Sequence, residues 1–252
     1  MRVLLTNDDG IESPGLWALH EALKDRYEVV VMAPEQEMSG TSQTITLRTP
    51  IRVRERAPGI YTCGGFPADC VVVACMSPET RPDVVVSGIN PGPNLGTDIL
   101  YSGTAAAARQ AALMDLPALA VSLADAPPYA FEPLALYIRE ALERLVDAWE
   151  PDLFFNINAP NLQSRSPRVV VTRPARRVYS DSVQRFEGLD GSRYFIVYGT
   201  AVHVSEAPGC GFEEDMPLDC SVVDEGGISI SPVLVHPVCH RSLMSLQARL
   251  GE

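Results

Sequence analysis

Two adjacent carboxylates, Asp8 and Asp9, follow the short apolar run Arg2-Val-Leu-Leu-Thr6, with Asn7 before them and Gly10 after. Within a strand, successive side chains point to opposite faces, so neighbouring acids could not share a ligand there. In the turn beyond the strand that alternation is lifted, and both carboxylates can aim at one hard cation such as Mg²⁺ or Mn²⁺. Asp-Asp-Gly is equally an Asx-type turn with Gly10 at positive φ, so the pair needs company before it reads as chemistry. That company is Tyr101-Ser-Gly-Thr104, small polar residues that open a helix of four consecutive alanines. Ser102 there is a helix N-cap; the free N–H groups behind it and the helix macrodipole also make an anion site. A cation site and an anion site in one cleft specify a phosphate ester.

To bring these residues together, the strands must end on one edge of a sheet. Segments 3–6, 27–33, 83–87, 118–122 and 153–157 read as strands, the second a continuous apolar run suited to a buried parallel position. Helical spacing is expected over 14–25, where Leu16, Leu19 and Leu23 recur behind Pro14, and over 67–76, 102–114 and 131–149. Two shorter pieces, 44–47 and 51–54, flank Pro50 and predict a hairpin. This alternation implies an α/β protein, a three-layer Rossmann-like domain with a parallel sheet between helices. Ligands of such sheets bind beyond the carboxyl ends of the strands, where strand order reverses. The segments lying there are Asn7-Asp-Asp9, Pro34-Glu-Gln-Glu-Met-Ser-Gly-Thr-Ser42 and Gly88-Ile-Asn-Pro-Gly-Pro-Asn-Leu-Gly96. Oxygen donors without His or Cys suit Mg²⁺, Mn²⁺ or Ca²⁺ and not zinc.

The character changes after residue 160. Residues 165–185 hold six Arg against one acid, and 206–225 hold seven acids and no base. Separated strands are expected at 169–172, 194–197 and 228–231 with no helix between them, and a short amphipathic helix near Leu243, Leu246 and Leu250. The expected division is a Rossmann-like catalytic domain over 1–160 and a β-rich extension with a C-terminal tail over 161–252, built as one structural unit. Opposite charge patches of this kind form a solvated surface or serve self-association.

Composition removes several function classes. A chain of 252 residues that is 46% hydrophobic can bury a large core, yet no apolar run reaches the length of a membrane span. The opening is not read as a signal peptide, because Asn7-Asp-Asp9 interrupts the apolar stretch at once. Six cysteines without a C-x-x-C pair read as reduced thiols in the cytoplasm. A net charge of −12 argues against a nucleic-acid polymer as partner. It leaves room for a small phosphorylated substrate, since a bound divalent cation inverts the local field. A haloacid-dehalogenase-type phosphatase needs its acids two apart, and a receiver domain needs a late lysine, whereas the single lysine here is Lys24. A non-catalytic Rossmann-like nucleotide-binding module is the remaining alternative, though it wants a G-x-G-x-x-G after the first strand.

The chain resembles the SurE family, metal-dependent nucleoside monophosphate phosphatases. The resemblance is carried by Thr6-Asn-Asp-Asp-Gly-Ile11, Ser39-Gly40, Pro67-Ala-Asp-Cys70, Ser87-Gly-Ile-Asn-Pro-Gly-Pro-Asn-Leu-Gly96, Tyr101-Ser-Gly-Thr104, Phe155-Asn-Ile-Asn-Ala-Pro160 and Val223-Asp-Glu-Gly226. It implies Asp8, Asp9, Ser39 and Asn90 as ligands of one divalent cation per subunit, Mg²⁺ or Mn²⁺. It implies Asn94, Ser102, Gly103 and Thr104 around the phosphate, with Asp8, Asn94 and Ser102 catalytic. Asp8 would act as general base or attack directly. The implied substrates are nucleoside 5′-monophosphates, with 3′-monophosphates and short polyphosphate beside them. The implied assembly is a homodimer or homotetramer through the C-terminal extension. Phe66, Met38 and Gly227 depart from the family pattern; none is among the implied metal ligands.

Overall fold

The structure, a computed structural model, describes residues 1–124, 126–162, 167–205 and 216–236, and of 200–205 only the backbone. Its chain order begins β1 (Arg2–Thr6), α1 (Pro14–Leu23), β2 (Glu28–Pro34), β3 (Val53–Ala57), β4 (Ile60–Cys63), α2 (Pro67–Met76) and β5 (Val84–Pro91). A 3₁₀ turn (Gly96–Leu100) then leads to α3 (Gly103–Ala112), β6 (Ala118–Leu123), α4 (Phe131–Asp147) and β7 (Leu153–Ala159). The remainder is β8 (Val169–Val171), β9 (Arg176–Glu187), β10 (Arg193–Ser205), α5 (Asp219–Asp224) and β11 (Ile228–Leu234).

Nine strands form one sheet in the order β3-β4-β2-β1-β5-β6-β7-β11-β8. From β4 through β7 every neighbouring pair is parallel. The strand order reverses between β1 and β5, which is the crevice where an open α/β sheet binds its ligand. The alternation along each strand feeds two cores. Val3 and Leu5 of β1, Val84 and Val86 of β5 and Leu119 and Val121 of β6 pack with α1 and α4. Leu4, Val85, Ala118 and Ala120 face α2 and α3 on the other side. The alanine run has a physical purpose here. Ala105, Ala107, Ala108 and Ala111 of α3 are fully buried against that face, and methyl side chains let the helix backbone lie close to the sheet. Its N-terminus is thereby brought onto the edge carrying the site.

The three-layer α/β expectation is met, and local differences have local causes. No strand forms over 44–47. The Thr46 backbone N–H and hydroxyl are instead donated to the Asp69 carboxylate of α2, at 2.9 and 2.7 Å. The hairpin lies one step later, β3 against β4, turning at Pro58-Gly59 with Gly59 at φ 76°. β3, with residues Val-Arg-Glu-Arg-Ala all exposed, is a charged edge of the kind that resists further pairing. β5 runs on to Pro91 rather than ending at Ser87, and its register against β6 shifts between Ser87 and Asn90. An irregularity of that kind re-aims a side chain, here Asn90. Beyond residue 160, α5 interrupts the expected strand-only pattern, and β8 and β11 join the main sheet beside β7. β9 and β10 form a separate antiparallel hairpin, of which the sequence pattern predicts only a strand at 194–197. The helix expected near Leu243, Leu246 and Leu250 lies outside the described residues.

Candidate active site at the strand-order reversal

Asp8 and Asp9 leave the end of β1 in a turn closed by Asn7, whose Nδ2 donates to Gly10 O at 2.9 Å and whose Oδ1 accepts from Gly10 N–H at 3.2 Å. Gly10 has φ +94° and a Cβ there would lie 3.2 Å from the Gln36 carbonyl carbon, so the turn needs glycine. Asp8 then points at the start of α3. Thr104 Oγ1 donates to Asp8 Oδ1 at 2.5 Å, and a Cβ on Gly103 would fall 2.6 Å from Asp8 Cβ. Burial pushes the Asp8 carboxyl up from its ordinary range. The Thr104 hydroxyl, the Asp8 N–H and the N–H groups of Thr104 and Gly103 pull it back down. The anion closest to the α3 N-terminus is therefore Asp8 itself.

The sequence expectation groups Gly103 and Thr104 around a phosphate; here Thr104 is fully buried, and both residues direct polar groups at Asp8, because a carboxylate entering from β1 comes close to the start of α3. Ser102 behaves as expected. Its Oγ accepts from Ala105 N–H at 3.0 Å as an N-cap, which leaves its own proton free to donate.

Asp9 is pushed up to about 7, first by burial and then by the charges of Asp8 and Glu37. Its Oδ2 is buried with no hydrogen-bond partner. A half-buried carboxylate beside a buried one, with one buried oxygen unsatisfied, is what a cation site offers. Ser39 donates to Glu37 Oε1 at 3.1 Å, and Asn90 Nδ2 donates to Gly92 O at 2.8 Å, which leaves the Asn90 Oδ1 as its unbonded acceptor. Among the described residues no three His, Cys, Asp or Glu side chains converge as a metal cluster. A cation would thus rely on two carboxylates plus hydroxyl and amide oxygens, a donor set that fits Mg²⁺ or Mn²⁺.

One cleft of about 550 Å³ is lined by Asp8, Ser39, Asn90, Asn94 and Ser102 together with Asp98, Tyr179 and Asp181. Asn94 is held by residues whose part in the site was not foreseen. Asn158 Oδ1 accepts from the Asn94 N–H at 2.9 Å, Asn156 and Asn158 donate to its carbonyl at 2.8 and 3.1 Å, and its Nδ2 donates to Ser122 Oγ at 2.8 Å. The signal was present as two asparagines two apart in an otherwise apolar strand. Asp98, Tyr179 and Glu37 were also missed. Glu37 sits in the quoted second loop, but nothing local marks Asp98 or Tyr179.

Comparison with known proteins fits this geometry. The profile described as Survival protein SurE matches residues 3–181. A protein of Anaeromyxobacter sp. (strain Fw109-5) named 5′-nucleotidase SurE is 43% identical over 239 residues, covering 92% of this chain and 89% of that one. One from Desulforudis audaxviator with the same name is 40% identical, covering 98% of this chain and 96% of that protein. The crystal structure of the SurE protein from Aquifex aeolicus superposes with a TM-score of 0.81 at 32% identity, over the full length of both chains. With its strand-end carboxylates, its α3 N-terminus and its sheet order accounted for, the chain belongs to the SurE family.

Proposed function

We propose that this protein is a metal-dependent phosphatase that hydrolyses nucleoside 5′-monophosphates to nucleoside and phosphate. The observation that carries the reading is the convergence of Asp8, Ser39, Asn90, Asn94 and Ser102 on one cleft where the strand order reverses. Relatives named 5′-nucleotidase SurE support it. Asp8 and Asp9, with Ser39 and Asn90 as neutral oxygen donors, would hold one divalent cation, which would supply charge neutralisation and a more acidic water. The second Nδ2 hydrogen of Asn94 and the Ser102 hydroxyl donate to phosphate oxygens as charge develops on them. Asp8 is fixed by Thr104 and takes the proton of the attacking water on the oxygen that Thr104 does not hold. The same donors serve 3′-monophosphates and short polyphosphate.

The C-terminal region supports self-association. The β9–β10 hairpin carries Phe186, Leu189, Phe195, Ile196 and Val197 as exposed apolar side chains, a surface suited to a second copy in a homodimer or homotetramer. Among the described residues no helix is long and apolar enough to cross a membrane. Cys63, Cys70, Cys75 and Cys220 are buried and free, which supports a reducing compartment such as the cytoplasm; Cys210 and Cys239 lie outside the described residues.

The test is phosphate release from AMP, GMP, CMP and UMP with Mg²⁺, Mn²⁺ or EDTA, beside Asp8→Asn and Asn90→Ala. Metal-dependent release that disappears in both variants is the expected result. No release from any nucleotide with any metal sinks the reading and favours a non-catalytic nucleotide-binding module.

A further inference from the structure

Part of the cleft wall is built by the β9–β10 hairpin and not by the main sheet. Tyr179 and Asp181 are two apart on β9 and so share a face, and Gly199 of β10 is the direct cross-strand partner of Asp181. All three line the cleft. A Cβ on Gly199 would lie 2.7 Å from Asp181 Oδ1 and 3.5 Å from Tyr179 Cδ1, so its bare backbone keeps the space beside both side chains open.

The Tyr179 ring is held in place. Its hydroxyl donates to Asp98 Oδ1 in the 3₁₀ turn, Asp98 Oδ2 accepts from Arg177, and the Arg177 guanidinium lies 5.6 Å from the Tyr179 ring centroid. Burial and the Asp98 carboxylate push the Tyr179 phenol up to about 12, so this donor stays protonated. An immobilised aromatic ring, a carboxylate acceptor and a gap beside them meet the needs of a nucleoside, which offers a flat π face and several hydrogen-bond donors. Arg177 is already committed to Asp98, so this part of the wall is poorly suited to another anion.

Resting on the nucleotidase reading of the same cleft, we propose that Tyr179 and Asp181, with Gly199 as the opening between strands, form the wall that recognises the nucleoside. Tyr179 packs against the base and Asp181 accepts from nucleoside N–H or O–H groups, while the phosphate lies at Ser102. These are specificity residues: they act on the leaving group and touch none of the reacting atoms.

The test compares AMP with glycerol phosphate, a monoester without a base, in the full chain and in Tyr179→Ala, Tyr179→Phe, Asp181→Ala and Gly199→Val. Tyr179→Ala, Asp181→Ala and Gly199→Val should raise KM for AMP by roughly tenfold, as loss of a base-stacking wall does, with kcat little changed. Glycerol phosphate kinetics should stay as in the wild type, and Tyr179→Phe, which keeps the ring but loses its tie to Asp98, should raise KM for AMP less than Tyr179→Ala does. Equal changes for both esters, or an unchanged KM for AMP, would overturn the wall while leaving the phosphatase reading intact. Calorimetric AMP binding by the wild type separates the two failures. Binding without turnover removes the phosphatase reading, and Kd in the same variants then tests the wall. No binding removes both.

Discussion

Thr104 Oγ1 donates to Asp8 Oδ1 across 96 residues of chain, joining the first residue of the site to the first turn of α3. Both partners are buried, so the bond fixes which oxygen of Asp8 remains for chemistry. Thr104→Val keeps the shape and removes the donor. It should cost about 1–3 kcal/mol in stability, as for a buried charged acceptor left unpaired, and lower kcat for AMP by at least roughly tenfold. Thr104→Ser should restore most of both. Thermal denaturation and steady-state kinetics check the pair, and unchanged kcat in Thr104→Val would show that the bond does not orient Asp8.

Asp9 is a half-buried carboxylate beside Asp8, its Oδ2 buried and unsatisfied. In metal-free buffer Asp9→Asn should therefore melt higher than the wild type, because it removes a like charge from a desolvated pair. Adding Mg²⁺ or Mn²⁺ should raise the wild-type melting temperature and raise that of the variant less, since a ligand that binds only the folded state stabilises it by mass action. Equal metal responses in the two proteins would remove Asp9 from the cation site.

Asn158 accepts from the Asn94 N–H and donates to its carbonyl, so one side chain satisfies both backbone groups of a site residue. Asn158→Leu leaves that N–H buried without a partner. A loss of about 1–3 kcal/mol is expected, with a higher KM for the phosphate ester because the Asn94 amide is no longer held. Urea unfolding and kinetics measure the two effects separately. An altered stability with an unchanged KM would confine Asn158 to the fold.

Asp219 is fully buried and accepts from three backbone N–H groups, those of Gly96 at 2.7 Å, Ala175 at 3.0 Å and Cys220 at 2.8 Å. It ties α5 to the 3₁₀ turn that carries Asp98. Asp219→Ala orphans all three donors and should cost on the order of 3 kcal/mol, an unusually large loss for a residue outside the cleft. Asp219→Asn retains an acceptor and should lose less. Chemical denaturation decides, and equal losses for the two would show that hydrogen bonding is not the cause.

Local sequence sets which residues stand at the strand ends. Apolar runs such as Val3-Leu-Leu5 and Val84-Val-Val86 alternate between two cores, and turn residues such as Asn7 and Gly10 act within a few positions. Strand, turn and helix start are local events, so the placement of Asp8 and Asp9 after β1, Ser39 after β2, Asn90 near the end of β5 and Ser102 at the start of α3 was legible in the sequence. The displaced hairpin shows the limit of that locality: Thr46 forgoes a strand because Asp69, 23 residues on, offers its backbone a better partner.

Tertiary structure alone decided how those residues are held and what closes the cleft. Asn94 depends on Asn156 and Asn158, 62 and 64 residues away, and Asp8 is clamped by the Thr104 hydroxyl, 96 residues away. The β9–β10 hairpin was the least legible part because it stands apart from the main sheet and has no buried face to impose alternation. Periodicity records only the contrast between a buried and an exposed side. A hydrogen bond between distant residues, or a wall exposed on both faces, leaves no period in the sequence and exists only once the chain has closed on itself.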